Sequence, residues 1–440
     1  MVGGRGERGY RAAGRRRARA STAILVAVVA LAALSAQPSG ANSGGGTSVG
    51  AAKRSQRAHR AQARRGAANV LAGRAMWIWE LQFAEGGNVN KIISEAHRWG
   101  IGTLMIKSSD GINFWSSQFS PQLVSAFHRG GLRVCAWQYV YGDHPVTEAY
   151  KGAEAVKDGA DCLLIDAETQ YEGKYIAAQT YIKRLRDLIG PRFPVALAGF
   201  PYVDFHPAFP YSVFLGPGGA QYNMPQMYWK DIGVSVDTVF AHTYVYNTIY
   251  RRRIYPLGQL DNRPAAHQIF RFRQLSRAYG ASGISWWDWQ EATHSGWNAL
   301  SRPAGSLKGY IPDRTMASIS KGSKSDLVVW AQEHLISAGY KIGVDGGFGA
   351  STQAAVRGFQ TAHGLTDDGI VGPETWGALL RYPPVKVVFG AQANATSAAL
   401  ARASRVRGTV LHEPVPVSAR QPARRDEVRA AGGAGHPRHG

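Results

Sequence analysis

The stretch CLLIDAETQYEG, residues 162–173, runs apolar for four residues and then sets Asp166 and Glu168 two positions apart. A strand suited to a core that ends in two carboxylates is informative only if its place in the fold is known. Seven comparable runs surround it: AMWIWEL (75–81), TLMIKSS (103–109), RVCAWQYVY (133–141), PVALAGF (194–200), YNMPQMYW (222–229), IYPLGQL (254–260) and GISWWDW (283–289). Their centres are roughly 27–32 residues apart, the length of one strand–helix–strand step. Helical periodicity fills several gaps. NVNKIISEAHRWG (88–100) places Val89, Ile92, Ile93, Ala96 and Trp99 on one face, and 236–250 and 265–280 behave alike. After the fifth run, PYVDFHPAFPYSVFLGPGG reads as a long loop rich in Pro and aromatic residues, with at most a short helix. Eight such units predict an α/β fold, a (β/α)8 barrel over 75–300. An open doubly wound sheet would carry a Gly-rich phosphate turn after its first strand, and WELQFAEGG (79–87) is not one.

In a barrel the C-terminal strand ends form the active face, and side chains alternate inward and outward. Cys162, Leu164, Asp166 and Glu168 share one parity. If that parity faces inward, the first two fill core layers and both acids stand at the mouth. Carboxylates this close repel, so one pKa should rise. The raised group can hold a proton as general acid while its neighbour stays ionised and stabilises positive charge, the division glycosidic cleavage requires.

Other strand ends are polar too: Glu80, Lys107 and Asp110, Gln138, Gln226 with Tyr228, Asp261 and Asp288. Trp115, Tyr139, Tyr202, Tyr228, Trp229, Trp286, Trp287 and Trp289 add flat apolar faces, about half of them expected to be core. Aromatic faces beside carboxylates suit sugar rings, whose C–H faces stack while their hydroxyls find polar partners. Glu80, Lys107, Gln226, Tyr228, Trp287 and Trp289 are the substrate-binding candidates. No His cluster or third acid falls at ligand spacing, so neither metal nor cofactor is expected.

The formal charge of +21 suggests a nucleic-acid partner until it is divided along the chain. Residues 1–74 hold 14 Lys and Arg against one Glu, residues 381–440 hold 10 against three acids, and the middle is nearly balanced at 27 against 26. The excess belongs to flanks poor in large apolar side chains, so nucleic acid is not expected, although anionic wall polymers could attract the tails. GYRAAGRRRARAS followed by TAILVAVVALAAL (22–34) and small residues reads as a secretory signal over 1–36, because the apolar run is shorter than the about 20 residues of a bilayer span. A basic linker is expected over 37–74 and a disordered basic tail over 383–440. The chain has two cysteines, Cys135 and Cys162, near the starts of neighbouring strands. A bridge is open to them, but two buried free thiols are the expectation.

The barrel resembles secreted glycoside hydrolases of the family 25 lysozyme and family 18 chitinase kind. MIKSSDG (105–111) is similar to the I-K-A-T-x-G segment of those lysozymes, LLIDAE (163–168) to their L-D-x-E and to the last D-x-E of the chitinase motif, and PQMYW (225–229) to the chitinase Q-M-x-Y strand. The resemblance implies Glu168 as general acid and Asp166 as the group orienting an acetamido substituent or supporting an oxazolinium intermediate, with Gln226 and Tyr228 on the sugar. Two positions depart from it. The lysozymes have an Asp on the first strand, where this chain offers WIWEL and Glu80 is the only acid, and the chitinases have an Asp where this chain has Leu164.

Beyond a linker expected over 301–320, residues 321–382 read as a separate three-helix unit. Leu327, Val328, Trp330, Ala331 and Leu335 form one stripe, and Ala354, Ala355, Val356 and Phe359 mark a second helix capped by Ser351 or Thr352. Pro373 opens a third with Trp376, Leu379 and Leu380. W-A-Q…L, A-G-Y before Asp345-Gly346, A-V-x-x-F-Q (355–360) and G-L-x-x-D-G-x-V-G-x-x-T-W-x-x-L (364–379) resemble the bacterial peptidoglycan-binding domain along its length. That resemblance implies peptidoglycan as partner. The chain as a whole reads as a secreted, wall-associated monomer that binds peptidoglycan and cleaves its N-acetylated glycan, or that binds it through an inactive barrel.

Overall fold

The computed structural model describes residues 69–390. The expected signal sequence, the linker up to residue 68 and the tail beyond 390 lie outside the described residues. Eight parallel strands follow one another around a closed sheet: β1 (Gly73–Ile78), β2 (Thr103–Asp110), β3 (Arg133–Val140), β4 (Cys162–Ala167), β5 (Val195–Ala198), β6 (Tyr222–Asn223), β7 (Arg253–Ile254, resuming as Leu257–Gln259) and β8 (Gly283–Trp287). The closure is made by β7. Its first half pairs with β6 through Asn223 and Ile254, its second with β8 through Leu257 and Ser285, and Leu257 also bridges to Gln226. Pro256, which has no N–H for the ladder, separates the halves.

Period-two alternation divides the strand residues between two cores. Cys162 and Leu164 of β4 lie inside the barrel with Met105, Cys135, Trp137 and Ala196, while Leu163, Ile165 and Ala167 pack outward beneath the helices. Cys135 and Cys162 are direct partners in the β3–β4 ladder and form a disulfide, which corrects the expectation of two free thiols. Adjacent inward positions on paired strands leave the two sulfurs nowhere to point but at each other.

The outer layer comprises α1 (Val89–Arg98), α2 (Pro121–Arg129), α3 (Pro145–Lys157), α4 (Tyr175–Ile189), α5 (Val236–Asn247), α6 (Ala266–Ala278) and α7 (His294–Ser301). Asn88 and Ser120 cap α1 and α2 by accepting backbone N–H bonds from Lys91 and Leu123. After β5 the Pro-rich segment gives two short turns, Val203–Phe205 and Tyr211–Phe214, so the barrel lacks a full helix at that place.

The C-terminal module supplies a substitute. Its helices are α8 (Asp326–Ser337), α9 (Ala350–Ala362) and α10 (Pro373–Leu379). Every residue of α8 from Asp326 to Leu335 is buried, polar ones included. One face meets α9 and α10, and the other lies against the barrel beside the Tyr211–Phe214 turn, which explains a helix apolar on more than one side. At its start, Asp326 accepts hydrogen bonds from Ser212 N (2.8 Å), Ser212 Oγ (2.6 Å), Tyr175 OH (2.9 Å) and Tyr250 OH (2.7 Å). One turn on, Trp330 Nε1 donates to Ile249 O at 3.0 Å. The stretch expected as a linker is also packed: Ala317 N donates to Val245 O, and Ile319 pairs with Val371. Beyond α10, Phe389 rests on the Tyr175 ring, 4.9 Å between centroids.

Two features of the module differ from expectation or were not foreseen. Gly349 precedes α9, so neither Ser351 nor Thr352 caps it; Thr352 is buried and its hydroxyl accepts from Gln332 Nε2 instead. The module is also an internal duplication. D-G-x-x-G-x-x-T occurs at Asp345–Thr352 and again at Asp368–Thr375. In each copy a buried Gln, Gln332 or Gln360, donates to the Asp and the Thr and accepts a backbone N–H from the turn.

Asp326→Ala should destabilise the chain by about 2–4 kcal/mol, because it strands one buried N–H and three buried hydroxyls. Chemical denaturation monitored by fluorescence tests this, and a loss below about 0.5 kcal/mol would show that the carboxylate does not hold module to barrel.

Candidate functional site

Side chains at the C-terminal ends of the strands close around a cleft in the barrel mouth. Its floor is a cluster of three tryptophans, Trp77 from β1, Trp137 from β3 and Trp287 from β8, with ring centroids 5.4–5.8 Å apart. Trp137 is held by its Nε1–H to Ile78 O at 3.0 Å. Above the floor stand Asp166 and Glu168, with Tyr139 and Tyr141 on one flank and Gln226 and Tyr228 on the other.

The two acids share one donor. Gln226 Nε2 lies 3.0 Å from Asp166 Oδ1 and 3.1 Å from Glu168 Oε1. Tyr139 OH reaches Glu168 Oε2 at 3.2 Å and Gln170 Oε1 at 2.7 Å. Burial pushes both carboxyls above the ordinary range, Asp166 the further, and the Glu168 charge adds to the rise at Asp166. The Gln226 bond opposes the rise at both, and the Tyr139 bond opposes it at Glu168. The expected split, one raised acid and one ordinary carboxylate, is therefore replaced by a pair of raised groups. Glu168 differs from Asp166 in accepting a second hydrogen bond, from Tyr139 OH, and the two groups titrate as one pair.

Lys107 is buried at the end of β2, but its ammonium is tied to Asp110 Oδ2 at 2.7 Å rather than to either acid of the pair. It lies 4.6 and 4.7 Å from the ring centroids of Trp115 and Trp137, within cation–π range. Tyr141 OH donates to the other Asp110 oxygen at 2.7 Å. Glu148, in the first turn of α3, fixes this flank by accepting from Tyr141 N and Gly142 N.

Of the residues singled out from sequence, Asp166, Glu168, Lys107, Gln226, Tyr228 and Trp287 come together here. Glu80 and Trp289 do not. β1 ends at Ile78, and Glu80 turns outward to accept from Gln82 Nε2. Trp289 packs edge-on against Trp297 outside the barrel. Trp77, Trp79, Trp137 and Tyr141 were missed, although a signal was available. Cys135, Trp137, Tyr139 and Tyr141 share the parity of the strand-paired cysteines, so one inward residue fixes the others.

The molecule is thus a (β/α)8 barrel with a paired-carboxylate cleft, joined to a three-helix module. Residues 324–379, the three-helix module, match the family model described as Putative peptidoglycan binding domain. An uncharacterized protein of Kitasatospora aureofaciens is 40% identical over 84 residues, 19% of this chain and 70% of that protein. A zinc D-Ala-D-Ala carboxypeptidase of Streptomyces albus G is 42% identical over 64 residues, 13% of this chain and 24% of that enzyme, so the chain spans far less than two thirds of it. Among solved structures, the spore cortex-lytic enzyme SleL of Bacillus cereus is 10% identical, with 52% of this chain and 73% of that one covered and a TM-score of 0.40. Among the described residues no helix is long and apolar enough to cross a membrane.

Gln226→Leu should move the deprotonation of the Asp166–Glu168 pair to still higher pH, because the bond that favours both ionised forms is lost. A carboxyl-carbon NMR titration reads the shift; an unchanged or lowered midpoint would contradict the bridging role of Gln226.

Proposed function

We propose that the barrel is a glycosidase acting on the N-acetylated glycan of peptidoglycan, with Asp166 and Glu168 as its acid pair. The observation that carries this reading is the single amide of Gln226 within 3.1 Å of both carboxyls, inside a cleft floored by tryptophans. Two acids held by one amide are closer together than the about 6.5–9.5 Å that an inverting pair keeps for its water, and cleavage with retention needs a nucleophile. A nucleophile supplied by the substrate, the acetamido oxygen of an N-acetyl sugar, meets that requirement.

The pair carries one proton between its two carboxyls. Glu168, two residues nearer the mouth, passes it to the glycosidic oxygen as the bond to the anomeric carbon breaks. The acetamido oxygen attacks that carbon, and Asp166 stabilises the positive charge on the resulting oxazolinium ring. Water then opens the ring and the proton it releases returns to the pair. The peptidoglycan-binding module fixes where this happens. Packed against the barrel, it holds the cleft in a set relation to the wall, and the chain would work outside the cell on that polymer.

Glu168→Gln should lower release of reducing ends from purified peptidoglycan by about 10²–10⁴-fold while wall binding persists. Wall binding without new reducing ends from the unaltered chain would replace this reading with a binding protein whose barrel is inactive. Activity requires the shared proton, and burial raises both groups. The alkaline limb of the rate profile should therefore lie above the ordinary carboxylate range, with activity falling as pH rises through it. A limb at the usual carboxylate position would contradict the proposed acid pair.

A further inference from the structure

A second pocket opens where the module meets the barrel, at the end opposite the cleft. Its barrel side comes from Pro217, ahead of β6, and from Tyr250, Arg251 and Arg252, immediately ahead of β7. Its module side comes from Trp330 and His334 of α8 and from the chain leaving α10, Arg381, Tyr382 and two prolines. About 330 Å3 of space lies between them, the lower end of the small-ligand range.

Three guanidinium groups border this space, and each has N–H groups to spare. Arg251 gives one bond to Leu380 O, and Arg252 gives bonds to Leu215 O and Gly216 O. Those carbonyls fix the orientation of two of the arginines. Arg381 is exposed at the rim. The acids close behind the wall do not cancel the positive charge. Burial raises Glu333 to about 9, so it is neutral at pH 7, and Asp326 is enclosed by its four donors. His334, behind the same wall, adds no charge of its own. Its Nδ1 is 2.5 Å from Tyr382 O, which can only accept, so the proton sits on Nδ1. Nε2 is then a bare acceptor, buried and without a hydrogen-bond partner. Burial holds the ring neutral, with its pKa down to about 4.

We infer that this pocket binds the carboxylate end of a short peptide, the guanidinium groups taking the carboxylate. A planar carboxylate matches the guanidinium fork. The walls of Trp330, Tyr250, Tyr382 and the prolines suit small apolar side chains such as alanine next to it. Because the pocket faces away from the barrel mouth, such a peptide would be held without entering the cleft. The inference does not depend on the barrel being a hydrolase.

The test is ligand-observed NMR and calorimetry on the full chain with N-acetyl-D-alanyl-D-alanine, its C-terminal amide, N-acetyl-L-alanyl-L-alanine and inorganic phosphate. Saturable binding of the free acids is expected, with the amide and phosphate weaker by at least about tenfold. Arg381→Gln, at an exposed position, should weaken the acid by about tenfold with an unchanged melting temperature. A preference for the D-peptide would identify wall stem peptides as the source, and equal binding of both stereoisomers would identify peptide C-termini in general. Amide binding equal to acid, phosphate binding equal to acid, no saturable binding, or an Arg381 variant with full affinity would each overturn the inference. These peptides contain no glycosidic bond, so their result stands apart from any test of hydrolysis.

Discussion

The hydrogen-bond cluster around Asp326 is the constraint on which the architecture turns. A barrel of eight strands needs cover on all sides, and the Pro-rich chain after β5 cannot coil into the helix that would provide it. α8 fills that place, and its first residue satisfies Ser212 N–H and three hydroxyls that would otherwise be buried without partners. The barrel therefore lacks part of its own outer wall, and a three-helix unit that would expose one face of α8 lends it. The two parts share one continuous hydrophobic core. A module tethered by a loose linker would raise local concentration in every orientation. A module built into the wall fixes one orientation of the cleft relative to whatever it grips.

Much of this was legible in the sequence because strand spacing is a local property. The beat of apolar runs gave the barrel, the absent fifth helix was visible as Pro and aromatic residues, and the W-A-Q…L and A-V-x-x-F-Q pieces marked the module. The docking of that module was not legible, because it depends on contacts such as Tyr175 to Asp326, 151 residues apart. A polar residue at the start of an amphipathic helix reads as a cap, and nothing local distinguishes a cap from a clamp. The only hint was composition: α8 carries apolar residues around more of its circumference than a three-helix unit alone requires.

The site was legible to the extent that parity was. Asp166 and Glu168 were placed by counting two at a time from Cys162, and that rule holds inside a regular strand. Past a strand's end it is not dependable: Glu168 and Tyr141, one residue beyond β4 and β3, still obey it, and Glu80 does not. Glu80 lies beyond the last residue of β1, in a turn, so its parity says nothing about direction. Trp289 likewise follows β8 rather than belonging to it. The missed residues, Trp77, Trp137 and Tyr141, obey the rule. What was lacking was the anchor, because the disulfide that fixes which face of β3 is inward was not the expected state of the two cysteines.

Comparison of the buried acids shows what the mouth lacks. Asp326 has four donors and its pKa rises only to about 6, whereas Asp166 has one shared amide and rises well beyond the ordinary range. Burial is the leading cause at both, so the difference lies in the Glu168 charge beside Asp166 and in how many hydrogen bonds each ionised form receives. The clamp is fully satisfied, as an element that holds two domains together should be. The acid pair is left short of donors in a cleft whose other walls are tryptophan and tyrosine. Lys107 gives its hydrogen bond to Asp110 rather than to the pair. A ligand bringing hydroxyl or amide hydrogens would supply what is missing, and in doing so would stabilise the ionised state that remains once the proton has left. The same deficit that keeps a proton on the pair in the free cleft is thus what a bound sugar would relieve as that proton is transferred.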